Sequence, residues 1–309
     1  MSIIRVFAAS CALASLLFIH PANAAGNDDT AIDNTTNSDT TNESAIRTLQ
    51  VVSYNIRLAT KADGEDYWPH RSDAVSEFIA KWDVIGLQEV TPEQFDDLRE
   101  QLGGDFDSYG LGREDGVSKG EHAAVFYRRD RVKALDTSTF WLCETPDKPG
   151  VLGWDAVCAR TVSWLRLQDI SSGTEFVFAN THFDHRGSTA RLESANMVSK
   201  RVGQLPENTP FILLGDFNCR PDSEPYKALV AAGLADARSA AVVKLPGPNS
   251  TWNGFKAIAP GQTIDHAFVS GPVTVTEFQI HDPKTAAGRF ASDHLPIRLA
   301  IRWDHLGKP

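Results

Sequence analysis

The feature that most constrains the fold is where polar residues fall relative to the apolar, strand-like runs. Asn55 ends VVSYN, Gln88 and Glu89 end VIGLQE, and His182 ends FVFANTH. Asp216 and Asn218 end FILLGDFN, Asp265 sits in TIDHAFV, and Asp293-His294 directly precede LPIRLAI. A single Asp after a strand is ordinarily a turn residue or a helix cap. When six runs all need that explanation, one polar site gathered at strand ends accounts for them better. Carboxylates and amides there supply oxygen ligands for a hard cation, and two histidines supply acid–base or charge-stabilising groups.

Helical patterns separate some of these runs. In PHRSDAVSEFIAKW, Ala74, Val75, Phe78, Ile79 and Trp82 share a helical face. Thr91 caps a helix with Pro92 at its first position and Phe95, Leu98 and Leu102 as its inner stripe. Residues 106–178 are rich in strands. Ser188 opens a long helix with Leu192, Ala195, Val198, Val202 and Leu205 inward, and a short helix spans residues 224–232. Many strands with few helices, without strict βαβ alternation, predict an α+β fold.

The chain opens with Arg5, an apolar run to about Ile19 and the small-x-small site Ala22-Asn23-Ala24. This is the anatomy of a secretory signal peptide over residues 1–24, and the run is too short to span a membrane comfortably. Residues 25–48 are Asn, Thr, Ser and Asp with little apolar content, which predicts a disordered linker. One domain over residues 49–305 is expected, secreted or periplasmic, as a monomer without a transmembrane segment. The net charge of −10 argues against sequence-independent wrapping of nucleic acid, which needs Lys and Arg to displace counterions. Cys143 and Cys158 bracket a loop that a disulfide can close in an oxidising compartment; an unbridged pair is the equal alternative.

YNIR, GLQEV, NTHFDH, GDFN, IDHAFV and SDHLPI occur in the order found in the endonuclease/exonuclease/phosphatase superfamily, which the chain resembles from about Leu49 to Trp303. The resemblance implies the DNase I-like fold, a four-layer α/β/β/α sandwich of two packed mixed sheets. It also implies a divalent-metal-dependent phosphoesterase that cleaves a phosphodiester or phosphomonoester by attack of an activated water. Asn55, Glu89 and Asp293 match metal-site residues, for Mg²⁺ or Mn²⁺. His294 matches the histidine that contacts the scissile phosphate or activates water, with Asp265 orienting it. Asp216 matches the residue that aligns or deprotonates water, Asn218 a phosphate-binding amide, and His182 a second phosphate-contacting histidine. Asp216 and His294 are both candidates for the general base.

Arg57 stands where several relatives carry an acid, so it offers phosphate a cation and favours one metal ion over two. Arg57, His122, Asp184 and Arg191 are candidate substrate contacts; a structural hydrogen bond or ion pair is the competing role for the last three. The substrate is a phosphate ester drawn from nucleic acid, nucleotide, sugar phosphate or lipid headgroup.

Two alternatives stand beside this reading. His182, Asp184 and His185 spell H-x-D-H, part of the zinc run of metallo-β-lactamase-like hydrolases, with Asn180 where the first His belongs. GDFN and SDH have no place in that reading. A catalytically inactive binding module of the same fold would be favoured by loss of Glu89, Asp216 or His294, and all three are present.

Overall fold

The computed structural model describes residues 48–304, so the expected leader and nearly all of the polar linker lie outside the described residues. Thirteen strands among the described residues form two sheets. The first sheet contains β1 (Leu49–Asn55), β2 (Val84–Val90), β3 (Phe106–Tyr109), β4 (His122–Arg128), β10 (Val243–Lys244), β12 (Val273–Ile280) and β13 (Ile297–Trp303), in the order β10-β12-β13-β1-β2-β4-β3. The second contains β5 (Val132–Trp141), β6 (Thr161–Asp169), β7 (Glu175–His182), β8 (Phe211–Asp216), β9 (Ala235–Asp236) and β11 (Asp265–Ser270), in the order β5-β6-β7-β8-β11-β9.

The core explains the unbroken apolar character of the central strands. Leu49, Val51 and Val84 from one sheet meet Phe178, Ile212 and Leu214 from the other. Val52, Tyr54, Ile85 and Leu87 point the other way, onto α1 (Ser72–Ile79) and α2 (Pro92–Leu102). Val177, Ala179, Phe211 and Leu213 likewise meet α3 (Ser188–Val202) and α4 (Glu224–Ala231). Strands buried on both faces need apolar residues at every position, which removes the alternation of a half-exposed strand. The result is the expected α/β/β/α sandwich.

Most predicted elements are present, with local differences. Thr91 makes a reciprocal capping box with Gln94. Ser188 opens α3 as expected, with Gly187 at the N-cap position, and Asp155 from a distant loop accepts hydrogen bonds from Thr189 N (3.2 Å) and Ala190 N (2.6 Å). Cys143, Cys158 and Cys219 are all free thiols, so the disulfide alternative does not hold in this structure. Among the described residues no helix is long and apolar enough to cross a membrane.

Asn180, which stands in the first-histidine position of the zinc reading, is wholly buried between the sheets. Its amide donates to the carbonyls of Leu87 (2.9 Å) and Ala124 (2.8 Å) and accepts from Gln88 Nε2 (2.7 Å). The sheets approach closely beside it: a Cβ on Gly86 would come within 2.9 Å of the Asn180 amide. Asn180→Leu leaves these buried groups unpaired and is expected to cost about 2–4 kcal/mol. Urea denaturation of the variant checks this, and a midpoint equal to the parent's would contradict it.

Candidate active site

Strand direction and register assemble the site. β1 runs parallel to β2 and β7 parallel to β8, so their C-terminal ends share one edge of the sandwich. Register then sets Asn55 opposite Gln88, His182 opposite Asp216, and Asp216 opposite Asp265. His294 lies in the segment before β13 and forms an isolated bridge with Trp252.

Local backbone strain aims three side chains near this edge. Among the described residues, six non-glycines have positive φ, and Arg57 (57°), Glu89 (61°) and Asn218 (48°) are three of them. Glu89 sits where the β2–β4 register shifts between Leu87 and Val90, a bulge that turns its carboxylate out of the strand's alternation. Such backbone costs about 1–3 kcal/mol per residue and persists where the surroundings over-determine it. Arg71 is part of those surroundings. Its buried guanidinium donates to the carbonyls of Ile56, Arg57 (2.7 Å), Asp66 (2.8 Å) and Ala291 (3.2 Å), tying the Asn55 loop to the segment that carries His294. Ser292 Oγ adds a 2.7 Å bond to the carbonyl of Asn55.

Asn55 Nδ2 donates to both Glu89 Oε1 (3.0 Å) and Asp216 Oδ2 (2.9 Å). Glu89 also accepts from the Leu58 amide at 3.0 Å. Burial alone would raise the Glu89 pKa, but the His294 charge, Asn55 and the Leu58 amide outweigh it and hold the carboxylate below its ordinary value. Asp216 is pushed up to about 7, first by burial and then by the charge of Asp265. Burial also raises Asp293, whose ionisation Glu89 further opposes.

The two histidines differ. His294 Nδ1 lies 2.9 Å from Asp265 Oδ2, and its Nε2 faces Asp216 Oδ2 at 3.8 Å. Burial opposes charge on this ring, yet Asp265 and Asp216 overcome it and raise the pKa well above the ordinary value. His182 is held well below its ordinary value by burial, then by the charges of Arg160 and Arg113. Its Nε2 is 3.0 Å from the Asn218 amide nitrogen and 3.5 Å from Asp216 Oδ2. Because the amide donates to Nε2, the proton of the neutral imidazole resides on Nδ1.

In the metal-free protein at pH 7.5, ¹⁵N NMR is therefore expected to show His294 as imidazolium and His182 as neutral imidazole. Asp265→Asn should move the His294 titration downward; an unmoved titration would contradict the pairing. Since the folded pKa of His294 lies above the unfolded value of about 6.5, its charge stabilises fully below that value. The contribution is lost as pH rises through the folded pKa.

Glu89, His182 and Asp216 present ligand atoms within 4.8 Å of one another, and so do Asp216, Asp265 and His294. Glu89 and Asp216 are oxygen donors suited to a hard cation. Asn55 turns its amide nitrogen toward both, while its Oδ1 accepts from the Arg57 amide at 3.0 Å, so in this structure it fixes the two carboxylates. Burial and the Glu89 charge both oppose ionisation of Asp293, and a divalent ion beside these carboxylates would relieve that opposition. The residues present fit such an ion.

The candidate substrate contacts from sequence have mixed fates. Arg57 is engaged by Asp63 through two 3.0 Å bonds and reaches Glu89 at 3.9 Å, so its charge is largely matched by protein. His122 is buried, with Nδ1 3.0 Å from the Val90 carbonyl and its ring against Phe95, which corrects a substrate-contacting role to a structural one. Asp184 is corrected likewise. Oδ1 accepts from the Arg186 and Gly187 amides, and Oδ2 from those of Val157 and Cys158. Arg191 donates to the Asp184 carbonyl at 2.8 Å, pinning the same turn. H-x-D-H does not converge: His182 groups with Glu89 and Asp216, whereas Asp184 and His185 group with Cys158.

Sequence reasoning missed Arg113, Glu121 and Arg160, which line a recess beside Glu89 and His182. Glu121 and Arg160 stand just before β4 and β6. Both strands run antiparallel to their neighbours β2 and β7, so their starts lie at the same edge as the neighbours' ends. Inspecting only where strands end overlooks them.

A two-sheet sandwich with buried carboxylates, amides and paired imidazoles at one edge defines the DNase I-like class of protein. The chain belongs to the Endonuclease/Exonuclease/phosphatase family, whose model matches residues 52–294. An endonuclease/exonuclease/phosphatase structure from Bacteroides vulgatus is similar at 35% identity and a TM-score of 0.78, over 83% of this chain and 99% of that one. Bacteroides thetaiotaomicron mannosyl-6-phosphatase Bt3783 is 35% identical, with a TM-score of 0.76 over 82% of this chain and 100% of that one. Nocturnin of Drosophila melanogaster is 32% identical over 194 residues, 58% of this chain, and the match spans 28% of nocturnin's own length.

Proposed function

We propose that the protein is a divalent-metal-dependent phosphatase acting on a small sugar-phosphate monoester. The observation that carries the reading is the convergence of Asn55, Glu89, His182, Asp216, Asp265 and His294 at one sheet edge, with Asp216 bonded to Asn55 and facing both histidines. The sugar-phosphate class is supported by similarity to the Bacteroides thetaiotaomicron mannosyl-6-phosphatase. The net charge of −10 supports a small ester over a long polyanion.

Glu89, with Asp293 nearby, would hold the metal, Mg²⁺ or Mn²⁺, and Asn55 would join it by turning its amide oxygen from the Arg57 amide toward Glu89. When bound, the ion neutralises charge on the phosphoryl oxygens. Asp216 aligns the attacking water and accepts its proton, a task suited to a carboxyl whose pKa is about 7. His294, kept charged by Asp265, neutralises the negative charge that develops on phosphorus-bound oxygen. The expected phosphate-binding role of Asn218 does not fit its bonds: its amide donates to His182 Nε2 at 3.0 Å and to the Phe183 carbonyl at 3.1 Å, so it positions His182, which lines the leaving-group side. The N-terminal run, read as a signal peptide, supports export to the periplasm or beyond.

The reading is tested with EDTA-stripped protein on a panel of phosphomonoesters and phosphodiesters, with Mg²⁺, Mn²⁺ or Zn²⁺ restored singly. Restoration by Mg²⁺ or Mn²⁺, with a hexose 6-phosphate favoured over nucleotide diesters, is expected. Preference for oligonucleotides would overturn the substrate class, and activity undiminished by EDTA would overturn the metal dependence.

A further inference from the structure

The recess beside His182 has a volume of about 10 Å³ and is bounded by Glu89, Arg113, Glu121, Arg160 and His182 among others. That is room for one water-sized oxygen and too little for a phosphate. Arg160 Nη1 and His182 Nδ1 are buried without a hydrogen bond among the described residues. Arg160 Nε also makes none, but it faces Asp184 Oδ2 at 3.7 Å. Arg160 as a whole is 5% exposed and His182 8%. The Arg160 guanidinium makes its hydrogen bond through Nη2, to His185 Nδ1 at 3.0 Å.

An acceptor faces the same space. Glu121 Oε2 takes a 2.7 Å hydrogen bond from Arg113 Nη1 and lies 3.9 Å from His182 Nδ1 and 4.0 Å from Arg160 Nη1. Among the described residues no donor bonds its second oxygen, Oε1. Buried donors without hydrogen bonds are rare because each forfeits its bonds to water, so Arg160 Nη1 and His182 Nδ1 on either side of Glu121 point to a guest between them. The guest has to accept from Arg160 or His182 and donate to Glu121. An anionic oxygen fails the second condition and meets repulsion from Glu121. An ammonium fails the first. A hydroxyl meets both.

We propose that Arg113, Glu121 and Arg160, with His182 Nδ1, form a subsite that binds one hydroxyl of the alcohol being released, and so selects polyol phosphates. This rests on the phosphatase reading and narrows it. Arg113 fixes the Glu121 carboxylate, Glu121 accepts the hydroxyl proton, and Arg160 donates to the hydroxyl oxygen. Because His182 also contacts Asn218 and Asp216, the subsite lies one side chain away from the reacting centre. Glu89 lines the recess as well as the proposed metal side, so the two share a wall. A site that hydrogen-bonds a substrate hydroxyl rejects the analogue without it more strongly than an apolar pocket rejects a change of size.

The test uses the Mg²⁺-loaded full chain, a hexose 6-phosphate and its singly deoxygenated analogues. One deoxy position is expected to lose about tenfold or more in kcat/KM, mainly through KM. In Glu121→Met that position should no longer matter, because the acceptor it paired with is gone. Glu121→Gln, which keeps an acceptor oxygen, should retain part of the discrimination. Equal turnover of all analogues by the unmodified protein would overturn the subsite and leave the recess to a structural water. Discrimination that persists undiminished in both Glu121 variants would overturn it too. Should the variants fail to fold, the analogue series on the unmodified protein decides alone. If the hexose phosphate itself is not turned over while another phosphate ester is, the sugar-phosphate reading fails first and the subsite with it.

Discussion

Glu89→Gln is expected to lower kcat/KM on the preferred ester by on the order of 10³-fold while leaving the metal-free fold intact. The substitution preserves size and the positive-φ backbone at residue 89, and an amide oxygen can still accept from the Leu58 amide. What it removes is a full negative charge that the surroundings hold ionised. Metal affinity should fall with activity, so titration calorimetry with Mn²⁺ separates this account from a packing defect. A variant with parental metal affinity and parental turnover would place the ion elsewhere. In metal-free protein the same change should cost some stability above the unfolded carboxylate pKa, because the folded surroundings favour the ionised form of Glu89.

His294→Ala is expected to cost about 10²–10⁴-fold in kcat with a smaller change in KM. The ring is buried at the site with its charge favoured by Asp265 and Asp216, so its removal is felt most when negative charge accumulates on phosphorus-bound oxygens. Asp265→Asn should give a smaller loss and pull the alkaline limb of the kcat profile downward. The sign follows from the pairing: His294 acts as the charged form, and without Asp265 that form is lost at lower pH. A pH profile unchanged in Asp265→Asn would show that His294 acts in its neutral form.

Much of this site was legible in sequence because strand-end chemistry is a local signal. Asn55, Glu89, His182, Asp216 and Asp265 each follow or open an apolar run that two-sided burial keeps continuous. The sandwich followed from those runs and the amphipathic helices between them. Three-dimensional accounting was needed where one side chain's partners come from distant segments. Asp184 looks like a ligand in H-x-D-H, yet backbone amides from residues 157 and 158, far off in sequence, consume one of its oxygens. Arg57 looks free to meet phosphate until Asp63 folds back onto it. Glu121 and Arg160 were hidden because the start of an antiparallel strand carries no mark that it lies beside its neighbour's end. Arg71 reads as an ordinary helix-proximal Arg, and only burial against four carbonyls discloses its role in holding two loops together.

The central claim is that Glu89 and its neighbours form a divalent-metal centre. Anomalous diffraction from crystals soaked with Mn²⁺ and inorganic phosphate tests it most directly. One peak is expected within about 2.0–2.3 Å of a Glu89 carboxylate oxygen, with phosphate between it and His294. A peak only at Cys158, Asp184 and His185, with none at Glu89, would contradict it.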